Sequence, residues 1–532
     1  MLEDSEQLPA IPKFPLHLNR TILTIFMKPF TFIALLFCCL FFIQCADKQD
    51  TSSSTDSGLY YDQKSLPRLA AEWEPALGTV LSWPLNVPHK LVIELAGDYQ
   101  LYVMVENDST QADAVSWFLK WEMDTSRVQF IQAPQGVDAS WLRDWGPHAV
   151  FAPDGTFSLA NPNYLNSTPV SGMGCEDSLH FLFMKTDPDG SRVIDPTTAE
   201  NNAPEFIAQA LNVPAVNLPF VFTGGNIMTD GLGNALSTCI IVNENKFNGM
   251  SKSDFMQSAK DLLGIRKYDI IANFEPRGIQ HIDCYLKVLD ENRLFVVQPP
   301  EGHAERAVYD SIVDHELSKL KNAYGRAYEI LRLDTDRYEG EKLAAYTNSI
   351  IINQYIYVPL FGIAQDSIAL QQWRDAMPGY TVKGFEFVIA NEPTLSEKAI
   401  SYYTNIGWTF GDALHCRTRA IWDPEMLFIS VNRESTVSSK KKEFNIHATV
   451  IDYSSSSLTP ETVELHFRTK GKTEWTSKTM SKDGSDQWYA GSIPLENSGT
   501  TIEYYITATS SSGKKASRPA TAPKGYFEVE VE

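Results

Sequence analysis

Between residues 66 and 425 one local pattern keeps returning: an apolar strand, a turn rich in Gly, Asp or Asn, a second strand, then an amphipathic helix. Hairpins are expected from Ala149 to Ala160 around Pro153-Asp154-Gly155, from Asn226 to Ile241 around Asp230-Gly231, from Tyr285 to Val297 around Asp290-Glu291-Asn292, and from Ser349 to Val358 around Asn353-Gln354. Helices are expected over Thr110 to Met123, Ala203 to Leu211, Lys252 to Leu263, Ala304 to Ala323 and Asp366 to Ala376. Ser251-Lys252-Ser253-Asp254 is a capping-box start for the third of these, and Gly264 its stop. The units share element order and almost no residues. Alternation of strands with helices places residues 66–426 in the α/β class.

A chain of 532 residues is too long for a single core, and the texture changes near Leu427. Helical periodicity stops there, and short alternating runs separated by turns such as Asp483-Gly484 fill residues 427–532. This reads as an all-β sandwich, immunoglobulin-like or fibronectin-like, with Trp488 as a core aromatic.

The formal charge of -21, from 45 basic and 66 acidic side chains, argues against nucleic acid as a partner, because phosphate contacts need clustered Lys and Arg. The N-terminus has its own character. After Met27-Lys28, an apolar run from Phe32 to Ile43 ends at Gln44-Cys45-Ala46, too short for a spanning helix and right for a secretory signal. Cys45 resembles the lipid-attachment cysteine of bacterial lipoproteins, although Phe42-Ile43-Gln44 departs from the small residues usual before it. The expected organisation is an extension and signal over 1–45, a polar linker over 46–65, and an exported protein. It would be held to an outer membrane or cell surface by its lipid, or otherwise be periplasmic or secreted, touching membrane only through signal or anchor. The folded part keeps Cys175, Cys239, Cys284 and Cys416 without a CxxC pair, so neither a zinc site nor a disulfide framework is expected.

Four polar islands carry the chemistry. Cys416 stands between His415 and Arg417, cationic neighbours that would favour the thiolate; a buried structural Cys is the plainer reading. His281 and Asp283 stand two apart before the strand starting at Tyr285, so extended geometry would put both on one face at a strand end, suited to proton transfer or to a hydrogen-bonded loop pair. Asp144, in Trp141-Leu142-Arg143-Asp144-Trp145-Gly146-Pro147, is a semi-buried acid whose cationic partner is either Arg143 or a substrate. Asn348 precedes a strand and is either a turn residue or a site residue, while Gly224-Gly225-Asn226 lets the backbone turn or admits a ligand closely.

Taken in order, Trp141 to Pro147, Gly224-Gly225-Asn226, His281-Ile282-Asp283, Tyr346-Thr347-Asn348 and Leu414-His415-Cys416-Arg417-Thr418 resemble the agmatine deiminase and Porphyromonas-type peptidylarginine deiminase family. The resemblance implies a pentein-like five-bladed α/β propeller of ββαβ units, and the peptidylarginine branch also carries an immunoglobulin-like domain. It implies that Asp144 and Asp283 clamp a guanidinium and that Cys416 attacks its carbon. His281 would move the protons, Asn348 orient the thiolate or substrate, and Trp141, Gly225 and Asn226 contact the substrate. No cofactor and no metal is implied. The substrate would be a guanidino small molecule or an arginine-containing peptide or protein.

In the peptidylarginine branch, arginines shortly after the Asp-x-Gly-Pro segment hold a C-terminal carboxylate. Asn161-Pro162-Asn163-Tyr164-Leu165-Asn166 offers none, leaving free arginine, internal peptidyl arginine and agmatine open. Two other classes fit parts of the pattern. A cysteine peptidase would use Cys416, His281 and Asn348 but leave both aspartates idle. A surface binding protein would keep the scaffold without the reaction.

Overall fold

The computed structural model describes residues 58–532 apart from 64, 138, 166–168, 179, 182–198, 277, 455–457, 459–461 and 496–497. Cys45, the export signal and most of the 46–65 linker lie outside them. His148–Phe151 pairs antiparallel with Phe157–Asn163, which pairs in parallel with Ala215–Val221. The same order recurs in Met228–Thr229, Asn234–Thr238 and Lys267–Ile271, in Leu286–Asp290, Arg293–Gln298 and Glu329–Asp334, and in Ile350–Ile352, Tyr355–Leu360 and Thr381–Glu386. A fifth sheet joins distant parts of the chain: Arg419–Trp422 lies antiparallel to Ala76–Ser82, which runs parallel to Gln100–Val105.

Parallel neighbours need a crossover, and a helix supplies it in each sheet: Ala199–Leu211, Lys252–Leu263 after Ile240–Phe247, Arg306–His315, Gln365–Ala376 and His89–Asp98. Lys252–Leu263 shows how the residues enforce this. The Ser251 hydroxyl accepts from the Asp254 N–H, and Phe255, Ala259 and Leu263 are buried at helical spacing. At the far end Gly264 takes φ 71°, where a Cβ would lie 1.7 Å from the Pro67 carbonyl oxygen. The helix expected over Ala304 to Ala323 is shorter, because after His315 a 3-10 turn, Leu317–Lys319, drops Leu317 into the core.

Leu286–Asp290 is buried at every position, as a strand covered on both faces should be, and four of the five sheets share the main core. Trp145, Phe151 and Leu159 belong to a second core under the sheet built on Phe157–Asn163.

Residues from Leu427 onward form two sheets around one core. Glu443–Asp452 pairs with Leu427–Val431 and Trp488–Pro494, and Thr501–Thr509 with Glu464–Thr469 and Phe527–Val531. Trp488 is not the core aromatic. The strand presents Tyr489 inward, fully buried, and alternation turns Trp488 outward, where it stacks on Tyr60 at 4.9 Å and donates to the Tyr61 carbonyl. Nor are all cysteines single: Cys175 and Cys239 form a disulfide, pinning the segment around Cys175 to the start of Ile240–Phe247.

Candidate active site

Asp144 lies in a four-residue helix, Leu142–Trp145, rather than a loop, anchored by fully buried Leu142 and Trp145. The Arg143 N–H donates to the Cys416 carbonyl at 2.9 Å and its Nε to the His415 carbonyl at 3.2 Å, so this turn and the Cys416 segment are one assembly. Arg143 is therefore spent on the backbone and on Glu72, 3.5 Å away, and Asp144 is left with the Gly225 N–H at 2.9 Å and His281 Nδ1 at 3.6 Å.

His281 and Asp283 do not sit on an extended strand. Ile282–Cys284 is a 3-10 turn with His281 at its cap, preceded by Gln280 at φ 58°, a left-handed conformation costing a residue other than glycine about 1–2 kcal/mol. Hydrogen bonds hold it there: Thr238 Oγ1 donates to the Gln280 carbonyl at 2.5 Å, and Gln280 Nε2 to the Ser171 carbonyl at 2.7 Å. Asn226 Oδ1 accepts from Thr238 and from the Ile282 N–H, so Asn226 shapes this turn, while its Nδ2 is buried without a protein partner. Gly225 is required by close approach. A Cβ there would lie 2.5 Å from Asp144 Oδ1, 2.8 Å from His281 Nδ1 and 3.2 Å from Asp283 Oδ2, the place where the three polar groups converge.

Around the sulfur the groups are tightly bound. Asn348 Nδ2 donates to Cys416 Sγ at 3.2 Å while its Oδ1 accepts from the His415 N–H at 2.9 Å. Asp283 Oδ2 lies 3.6 Å from Sγ and 2.7 Å from His415 Nδ1. His415 Nε2 meets Glu72 Oε2 at 2.6 Å, and the other Glu72 oxygen accepts from Lys287 Nζ at 3.0 Å. Burial and the adjacent Arg143 and Lys287 pull the His415 imidazole down, yet each of its nitrogens faces a carboxylate oxygen and needs an N–H. The two short contacts decide: the ring is an imidazolium held between Asp283 and Glu72. Burial pushes both acids up, but Asp283, bonded to His415, is held below the usual carboxylate range, and Glu72, facing Lys287, His415 and Arg143, well below it.

This overturns the expectation of a thiolate favoured by sequence neighbours. The His415 charge is engaged by Asp283 and Glu72 and the Arg417 charge by Asp412, and burial, then Asp283, Asp412 and Asp144, push the Cys416 thiol well above its usual range. Burial likewise brings His281 down to about 4, so it is neutral at pH 7, and burial with the neighbouring Asp283 pushes Asp144 well up. The empty site thus favours a thiol at Cys416, a neutral imidazole at His281 and a proton on Asp144. Alkylation of Cys416 by iodoacetamide, followed by peptide mass spectrometry, should accelerate with pH through 9 without levelling, since the usual thiol value is about 8.5. A plateau below pH 8 would contradict this.

Asp144 and His281 form part of the wall of a cavity of about 330 Å³ with Trp141, Tyr164, Leu165, Thr223, Glu244, Tyr402 and Asp412. Asp283, Asn348 and Cys416 stand behind that wall, buried, as do Gly225 and Asn226. Sequence reasoning missed Glu72, Lys287, Glu244 and Tyr164. Lys287 left a signal, a lone cation inside an apolar strand that must find an anion. Among the described residues no three His, Cys, Asp or Glu side chains are grouped to hold a metal ion.

The family model of Porphyromonas-type peptidyl-arginine deiminases matches residues 68–390. A Yersinia pestis protein named "Putative agmatine deiminase" is 28% identical over 59% of this chain and 89% of its own, and a Mycoplasma capricolum protein of the same name is 26% identical over 53% and 81%. The agmatine deiminase of Enterococcus faecalis superposes with a TM-score of 0.49 at 17% identity, over 67% of this chain and 96% of that one. A structural-genomics crystal structure gives 0.50 at 20% identity over 67% and 96%. The class is that of hydrolases acting on C–N bonds of amidines. The chain belongs to the Porphyromonas-type peptidyl-arginine deiminase family.

Proposed function

We propose that the protein hydrolyses the guanidino group of a small molecule or an arginine residue to a ureido product and ammonia, through a covalent adduct on Cys416. The observation that carries this is the convergence beside Gly225 of Asp144, His281 and Asp283, with Asp283 in turn against the Cys416 sulfur. A guanidinium entering from the cavity supplies the positive charge that the site lacks. As it enters, its field favours the charged carboxylate and Asp144 releases its proton to solvent, and Asp144 and Asp283 then hold its edges by charge-assisted hydrogen bonds. Neutral His281 takes the thiol proton as sulfur bonds to the central carbon, and the tetrahedral adduct forms. The same proton passes to one nitrogen, ammonia leaves, and a thiouronium remains on Cys416. His281, neutral again, takes a proton from water attacking that carbon, and collapse frees the ureido product and the thiol. Asn348 holds the sulfur throughout, and Trp141 forms a wall for the substrate.

The test is an assay of ammonia and ureido product from agmatine, free arginine, and peptides with internal or C-terminal arginine. Release from at least one is expected; peptide cleavage without ammonia, or no turnover of any, would overturn the reading.

The finer architecture follows the same reading. The five mixed sheets are blades of a propeller around this site, with Arg419–Trp422 on Ala76–Ser82 as the closing contact, and the terminal pair of sheets is an immunoglobulin-like sandwich. Export and anchoring through Cys45 are supported by the Cys175–Cys239 disulfide, a feature of oxidising compartments. A Cys45→Ser variant should leave the membrane fraction, and one that stays there would count against the anchor.

A further inference from the structure

We infer that the Cys175–Cys239 disulfide is a positioning element for the reaction, which holds His281 in place through Gln280 and so makes turnover depend on oxidising surroundings. This rests on the deiminase reading and adds a regulation to the same site. Cys239 is buried at the cap of the helix Ile240–Phe247, directly after Thr238. Cys175 is half-buried, four residues after fully buried Ser171, which leaves the bond within reach of a small thiol reagent.

Gln280 bridges the same two segments that the disulfide joins. Its carbonyl accepts from Thr238 Oγ1 at 2.5 Å, and its Nε2 donates to the Ser171 carbonyl at 2.7 Å and to the Glu275 carbonyl at 3.0 Å. Thr238, Cys239, Cys175, Ser171 and Gln280 thus close a ring, covalent on one side and hydrogen-bonded on the other. Ser171 carries more than Gln280: Asn243 Nδ2 and Asn273 Nδ2 each donate to its Oγ at 3.1 Å, and the Asn273 N–H donates to the Met173 carbonyl at 2.9 Å. Within the ring Gln280 keeps φ 58°, a conformation that a residue with a Cβ leaves when its surroundings let it.

Opening the disulfide removes a cross-link between positions 64 residues apart, so Ser171 and Thr238 lose their fixed spacing and the Gln280 backbone can relax. The neighbouring His281 turns with it. Its ring meets Asp144 only at 3.6 Å, too far for a hydrogen bond to hold it. The two carboxyl groups are anchored elsewhere, Asp283 by His415 Nδ1 at 2.7 Å and Asp144 by the Gly225 N–H at 2.9 Å. Loss of the bond should therefore impair proton transfer by His281 and spare the hold on the guanidinium. A dithiol supplies the two electrons and two protons, closing to its own cyclic disulfide as Cys175 and Cys239 become thiols. Cys416, a thiol already, is unchanged.

The test is steady-state kinetics on the whole protein, recovered from an oxidising compartment, before and after dithiothreitol, with the guanidine that the ammonia assay shows it to turn over. Peptide mass spectrometry reports the state of Cys175 and Cys239. On reduction kcat should fall by roughly ten- to a hundredfold, the loss expected when a catalytic group is slightly misplaced, while KM changes by less than about threefold. The Cys175→Ser/Cys239→Ser protein should show the same low kcat with or without the reagent. Gln280→Ala should be low when oxidised and should no longer respond to reduction, because disulfide and Gln280 act on one turn. A kcat unmoved by verified reduction, a loss carried by KM alone, or a full further loss on reducing Gln280→Ala overturns the positioning while leaving deimination standing. Finding both cysteines as thiols before treatment overturns it too. No turnover of any guanidine in either form overturns both readings. If a variant fails to fold, the wild-type comparison alone decides.

Discussion

Cys416→Ala should fold like the parent and release no measurable ammonia from any guanidine, a loss of ~10⁴-fold or more. Asn348 Nδ2 donates to this sulfur at 3.2 Å and Asp283 Oδ2 lies 3.6 Å away, a closer hold than the 4.0 Å between Asn348 Nδ2 and the other free thiol among the described residues, Cys284. Removing the Cys416 sulfur leaves Asp144 and His281 in place, because their positions depend on the Gly225 N–H and on the Gln280 turn. The variant should therefore still bind a guanidine, measurable by calorimetry, while a coupled ammonia assay reads zero. Stability should change by about 1 kcal/mol, the ordinary size for a small buried truncation. Turnover surviving at even a few per cent would mean that water attacks the guanidinium directly, which would end the covalent route. A protein that served only to bind would be indifferent to the change.

How far the residues announced this can be judged from particular places. Lys252–Leu263 was legible because both of its ends carry local chemistry, a serine cap and a left-handed glycine. The four hairpins were legible because their turns are short and rich in Asp, Asn and Gly. The pairing of Arg419–Trp422 with Ala76–Ser82 was not, since it is set by packing across nearly the whole catalytic region and leaves no periodic trace. Trp488 and Tyr489 differ by one position, and in a strand that decides which of two aromatics faces the core.

The site divides in the same way. Asp144, His281, Asp283, Asn348 and Cys416 could be nominated because each stands in a distinctive short motif, and the structure brings them together. The charge state of the sulfur could not, because proximity along the chain does not say where a side chain goes. His415 adjoins Cys416, yet its ring is engaged by Asp283 and by Glu72, an acid from the far end of the region. Glu244 had no motif at all; only the shape of the cavity gives it meaning.

Asp283→Asn and Asp144→Asn should both lose activity by ~10³-fold while differing sharply in stability. Asp283 is fully buried; burial raises its carboxyl, and the His415 hydrogen bond and charge outweigh that and hold it below its usual value. A depressed folded pKa contributes stability that is present above the unfolded value of about 3.9 and is lost as pH falls through the folded one. At pH 7 the contribution is whole. Asparagine removes it and leaves the His415 cation with Glu72 alone, at a cost of about 3 kcal/mol or more. The gap from wild type, read from urea midpoints, should close as the pH falls below about 4. For Asp144 the sign is opposite. Burial and then Asp283 raise its folded pKa, so wild-type stability declines as pH rises above about 3.9, until the folded carboxyl itself ionises. Asparagine, neutral at every pH, removes that decline, and the Asp144→Asn protein should be at least as stable as wild type at pH 7 while unable to provide a carboxylate to a guanidinium. Equal destabilisation by the two substitutions would mean that Asp144 is charged in the empty site, and the account in which it releases its proton to solvent as the cation arrives would fail.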